Sequence, residues 1–83
     1  MDKEDRIIIE NDLIKYQKRL INQVDVREEY KSLIEELTSQ RESNPYDESL
    51  KEELLHAYIV QAKKEADIEK LIETIKTLEW LLI

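Results

Sequence analysis

The chain has 83 residues with no cysteine, no glycine and one proline, and 40% of its residues are charged. Without cysteine it has no disulfide, no thiolate nucleophile and no cysteine metal site. Its net charge of −7 repels phosphate backbones, so we expect no direct nucleic-acid binding. No apolar run approaches the ~20 residues that a membrane span requires, and the charged N-terminal segment does not resemble a signal peptide. The sequence therefore predicts a soluble, cytoplasmic protein without membrane contact.

The composition predicts an all-α protein. Apolar residues make up 41% of the chain, and Leu, Ile, Glu and Lys dominate, which is typical of long helices and coiled coils. Ser43-Asn44-Pro45 is the one strong turn signal and lies near the midpoint. We therefore predict a single helical domain over residues 1–83 that folds back once, as an antiparallel hairpin with coiled-coil-like packing.

The first arm carries two apolar stripes. The stripes are Ile9, Leu13, Tyr16, Leu20 and Val24, then Val26, Tyr30, Leu33, Ile34 and Leu37. On an ideal helix the second stripe is displaced from the first by about 100° or more, and Asp25 with Glu28 has the spacing of a capping box. The pattern predicts helices over about 5–24 and 26–42, with a break or bend at Asp25. The alternative is one bent helix whose apolar face winds round its partner.

The second arm is predicted to form one long helix. We predict a turn at 43–45, with Asn44 as N-cap and Pro45 at the first helical position, and a helix over about 46–82. Its apolar stripe holds Leu50, Leu54, Ala57 or Tyr58, Gln61, Ile68, Ile72, Ile75, Leu78 and Leu82. A turn at Asn44 pairs positions whose numbers add to about 89 and brings Arg27 near Glu65, as an ion pair or as two solvated charges.

More apolar residues are present than a two-helix hairpin can cover. Contiguous exposed apolar surface usually marks an interface, and the candidate interface residues are Ile14, Ile21, Leu55, Ile59, Leu71, Trp80 and Leu81. Three arrangements would cover them. Two hairpins can close a four-helix bundle as a homodimer, three helical segments can form a compact monomer, or a groove can receive an amphipathic helix from another protein.

Trp80 allows two interpretations. It is the only tryptophan, and tryptophan is enriched at the energetic centres of interfaces. Within a hairpin it would lie at the open end, where it either covers the end of the core or contacts a partner.

The net charge is concentrated in the middle of the chain. Residues 25–53 hold ten acids against four bases, which is −6 of the total −7. A hairpin gathers this charge at its closed end, and such a surface attracts basic proteins. The candidate acidic partner surface consists of Glu35, Glu36, Glu48 and Glu52.

Motifs for chemistry are nearly absent. Glu53 and His56 have the spacing that di-iron bundles use, but neither points toward the apolar stripe, so we expect no metal and no cofactor. The chain has no glycine-rich phosphate loop and no loops to form a substrate pocket. The sequence thus predicts a non-enzymatic protein-interaction module, a homo-oligomeric scaffold or regulator. The alternative is an acidic inhibitor, of the nucleic-acid-mimic or immunity-protein type, that blocks a basic partner.

Overall fold

The computed structural model describes all residues, Met1–Ile83, and consists of two helices. Helix α1 spans Lys3–Ser43 (41 residues) and helix α2 spans Glu48–Leu81 (34 residues), and the two pack against each other. The prediction of an all-α hairpin is confirmed. The molecule measures 63 × 15 × 14 Å. Its radius of gyration, 18.7 Å, exceeds the about 12 Å of a compact domain of this length.

Helix α1 runs through Asp25 without interruption. The predicted break is therefore wrong, and so is the compact monomer of three segments. The two apolar stripes join because Gln23 and Arg27, both half-buried, continue the contact face between them. The residues facing α2 then alternate at steps of three and four, as in helices that supercoil. They are Ile9, Leu13, Tyr16, Leu20, Gln23, Arg27, Tyr30, Ile34 and Leu37.

Helix α2 follows the same seven-residue period. Its buried and half-buried residues on that period are Leu50, Leu54, Ala57, Gln61, Lys64, Ile68, Leu71, Ile75 and Leu78, with Leu82 just after the helix. We call the two facing sets the seam and assign its residues to heptad positions a and d, with Ile34 and Leu54 at a and Leu37 and Ala57 at d.

The seam corrects one predicted assignment in α2. Leu71 is 7% exposed and Ile72 is 37% exposed, the reverse of the expected order. A straight helix of 3.6 residues per turn drifts away from a strict heptad, whereas two supercoiling helices keep positions a and d in contact at 3.5. Leu71 is therefore a core residue rather than an exposed interface residue.

Helix α1 ends one residue before Asn44. A residue that precedes proline is disfavoured in the helical region, and Asn44 accordingly has φ −134° and ψ 65°. Its backbone N–H and its side-chain amide both donate to the carbonyl oxygen of Gln40, at 3.0 and 3.3 Å. Asn44 thus caps the end of α1, and the prediction that it is the N-cap of α2 is wrong.

Helix α2 starts from Asp47. The Asp47 carboxylate accepts hydrogen bonds from the backbone N–H groups of Ser49 (3.0 Å) and Leu50 (3.4 Å), which are the donors an N-cap satisfies. Pro45 and Tyr46 form the turn itself, so the prediction that Pro45 is the first residue of α2 is wrong. The turn lies slightly later than the predicted 43–45.

This later turn shifts the pairing of the helices. Ile34, Leu37, Leu54 and Ala57 form one core cluster. Pairing Leu37 with Leu54 and Ile34 with Ala57 gives residue numbers that add to about 91, two more than the predicted 89, and matches position a of one helix to d of the other.

No side-chain hydrogen bond or ion pair joins the two helices. All eight side-chain hydrogen bonds and both ion pairs connect residues no more than four positions apart. The Arg27 guanidinium lies 3.3 Å from Glu28, so the predicted Arg27–Glu65 contact is not formed. At the observed register Lys64 falls opposite Arg27, and the next residue, Glu65, is turned about 100° away from it.

Candidate interaction surface

The seam divides the outside of the hairpin into two sides. Residues at positions e and b of both helices lie on one side, and residues at g and c lie on the other. The surface grooves agree with this division. Thr38 and Tyr58, both at e, line the same groove near the turn. Arg19, Asp67 and Thr74, all at g, line a groove on the opposite side.

Exposed aliphatic and aromatic residues concentrate on the e and b side. On α1 they recur every seven residues at position b, and on α2 they occupy b and e. We call this set the lateral surface: Ile7, Ile14, Ile21, Leu55, Tyr58 and Ile72. The exposure reaches 64% at Ile21 and 61% at Leu55. Seven of the 83 residues are buried in the hairpin, nearly matched in number by the six exposed residues of the lateral surface.

The predicted interface residues fall into three groups, which lie on or beside the lateral surface, in the seam, and at the open end. Ile14, Ile21 and Leu55 belong to the lateral surface, and Ile59 lies next to it at position f. Leu71 is buried in the seam. Ile7, Tyr58 and Ile72 were missed, because they become recognisable only once the heptad phase is known.

The residues at the open end, where α1 begins and α2 ends, are exposed. Trp80 is 71% exposed and Leu81 is 40% exposed. Trp80 occupies position f, which points away from α1. The reading in which Trp80 covers the end of the core is therefore wrong for the hairpin. Leu81, at position g, lies on the side opposite the lateral surface.

The predicted acidic residues are all exposed near the turn. Glu35 and Glu36 lie in the last turns of α1, and Glu48 and Glu52 lie in the first turns of α2. Glu36 accepts a hydrogen bond from Gln40 at 3.5 Å, and the other three carboxylates make no side-chain hydrogen bond or ion pair. The closed end is therefore a solvated acidic surface.

The remaining candidate for chemistry, Glu53 with His56, lies on the exposed surface of α2. No group of three or more histidine or acidic side chains is arranged to hold a metal ion. Neither helix combines the length and the apolar character that crossing a membrane requires.

No protein-family model matches this chain, and neither a curated protein nor a solved structure is detectably similar to it.

Proposed function

We propose that this protein is a non-enzymatic interaction module that self-associates through its lateral surface, as a homodimeric helical scaffold completed to a four-helix bundle. A cytoplasmic location, favoured by the absence of cysteine, belongs to the same proposal. The observation that carries it is the uncovered apolar surface. Isoleucine recurs at Ile7, Ile14 and Ile21 on a face that the hairpin leaves open, and Leu55, Tyr58 and Ile72 lie on the same side.

The total surface area supports this proposal. The hairpin exposes 6500 Å², whereas a compact monomer of the same mass would expose about 5,200 Å². The excess is roughly 1,300 Å² per chain, or about 2,600 Å² for two chains, which is within the range that stable homodimers bury. A second hairpin laid against the lateral surface would remove part of this excess.

The test is sedimentation equilibrium of two matched variants, Ile14→Glu and Leu33→Glu. Both replace an exposed aliphatic residue of α1 by the same helix-forming residue, but Leu33 lies on the opposite side, at position g. We expect Ile14→Glu to raise the dimer dissociation constant at least about 100-fold, since two buried isoleucines are lost and two charges would be desolvated. Leu33→Glu should leave it nearly unchanged. A monomeric wild-type protein would contradict the proposal.

The acidic closed end supports a second candidate, an inhibitor that occupies a basic protein. In that case charge reversal at Glu35, Glu36, Glu48 and Glu52 would abolish binding, and affinity would fall steeply with ionic strength. Self-association through the lateral surface should depend little on salt, so a salt titration of each interaction separates the two candidates.

A further inference from the structure

The α1 part of the lateral surface is symmetric about Ile14. Ile7 and Ile21 lie seven residues before and after it at the same heptad position, and all three side chains are about half exposed. Between Ile7 and Val24, Glu10 is the only charged residue at positions b and e. A surface that is symmetric about its own centre is suited to an isologous contact, in which the same patch is used twice.

From this symmetry we infer the arrangement of the dimer: two hairpins pack antiparallel through their open-end halves, with Ile14 on the two-fold axis. The closed ends point in opposite directions and leave Leu55 and Tyr58 outside the contact. The inference rests on the self-association proposed above and specifies the partner, its direction and its register.

The α1 contact is complementary in this register. Facing residue numbers add to about 28, so Ile7 of one copy meets Ile21 of the other, and Ile14 meets Ile14, as knobs of antiparallel helices do. Glu10 lies beside the second copy's Gln17, at position e. No two like charges face each other along this line.

The α2 contact is complementary in the same register. The hairpin places Ile14 level with residue 77 of α2, so facing α2 residues add to about 155 at positions b and e. Lys76 then meets Glu79. This contact occurs twice because of the symmetry, which gives two pairs of opposite charge.

The parallel alternative fits the lateral surface less well. With both closed ends on the same side, α1 would lie over the second copy's α2, so that Ile14 would face Lys76 and Leu55 would face Glu35. Two segments of net charge −6, residues 25–53 of each copy, would also lie side by side, which is unfavourable. In the proposed arrangement the α1 part of the contact is formed by the neutral first 24 residues, with five acids and five bases.

Cysteine cross-linking tests the arrangement directly, because the wild-type chain has no cysteine. Single variants Ile14→Cys, Ile7→Cys and Ile21→Cys are each checked for dimers by sedimentation and then treated with a short bis-maleimide. We expect Ile14→Cys to link to itself. Ile7→Cys and Ile21→Cys should link when mixed but not alone, since two copies of Ile21 lie about 21 Å apart along the axis. Ser39→Cys, on the outer surface, is the unlinked control.

A further pair of cysteine variants leaves the apolar contact unaltered. A mixture of Glu10→Cys and Gln17→Cys, which keeps all three isoleucines, should link, and it remains informative if an isoleucine variant dissociates. A dimer in which this pair and Ile14→Cys both fail to link, or in which Leu55→Cys links to Glu35→Cys, overturns the arrangement but leaves self-association intact. A wild-type monomer by sedimentation overturns the proposed function itself, and the arrangement with it.

Discussion

Asp47 is the residue on which the start of α2 depends. Its carboxylate accepts from two backbone N–H groups, those of Ser49 and Leu50, and it also places a negative charge at the positive end of the helix dipole. Helix α1 has no comparable N-cap, since Asp2 makes no side-chain cap hydrogen bond. The turn therefore owes its position to Asp47 together with Asn44, which caps the preceding helix.

Replacing Asp47 by alanine should lower the free energy of unfolding by about 1 kcal/mol, because the N–H groups of the first turn lose their acceptor. Asp47→Asn is the matched control. It keeps an acceptor oxygen and loses only the charge, so its effect should be smaller. Urea denaturation at one fixed protein concentration measures both. Equal losses for the two variants would mean that the charge, and not the hydrogen bonds, stabilises this end.

At the scale of the helix, the heptad seam predicts opposite behaviour for two adjacent residues of α2. Leu71→Ala should lower the free energy of unfolding by about 2–3 kcal/mol, because it opens a cavity in the seam. Ile72→Ala should have little effect on the hairpin, as its side chain is 37% exposed. Urea denaturation at a concentration where each variant is monomeric compares them. Similar losses for both variants would contradict the seam assignment.

The sequence predicted the all-α hairpin, but it predicted neither the unbroken α1 nor the phase of the contact between the helices, for a physical reason. In the sequence, only apolar residues can be recognised as part of the seam, but around Gln23 and Arg27 the seam is polar. The phase of the contact there becomes visible only in the structure, where the second helix half-buries these polar residues. Gln23 keeps a buried side-chain oxygen without a hydrogen-bond partner, and helix propensity gives no reason to expect such a residue in the seam. The break predicted at Asp25 was an interpretation of this interval.

The candidate surface was predictable only in part for the same reason. Ile14, Ile21 and Leu55 were identified because they lie off the predicted apolar stripes. Leu71 and Ile72 are adjacent. A drift of about 20° per heptad, accumulated over several turns, is enough to change which of the two faces α1. The position of the acidic residues at the closed end followed from the position of the turn alone, and their role toward a partner stays a prediction.

At the scale of the whole molecule, the two ends of the hairpin differ in charge. One end carries −6 of the net charge within residues 25–53, and the other end carries the neutral, isoleucine-bearing part of the lateral surface. An antiparallel dimer through the open ends separates the two acidic ends by far more than the Debye length of about 8 Å at physiological ionic strength. The same dimer leaves both acidic ends free, so an acidic partner surface and self-association are compatible.

The length of the dimer distinguishes this arrangement from a fully overlapped bundle. Ile14 lies about 31 residues from the turn, or roughly 46 Å at the helical rise, so the proposed dimer is about 90 Å long. A fully overlapped bundle keeps the 63 Å length of one hairpin. Small-angle X-ray scattering, at a concentration where sedimentation gives a dimer, should therefore give a maximum dimension near 90 Å. Ile14→Glu, measured as the monomer, supplies the length of one hairpin. A dimer no longer than that monomer would exclude docking through the open-end halves, since full overlap alone brings two hairpins together without lengthening the particle.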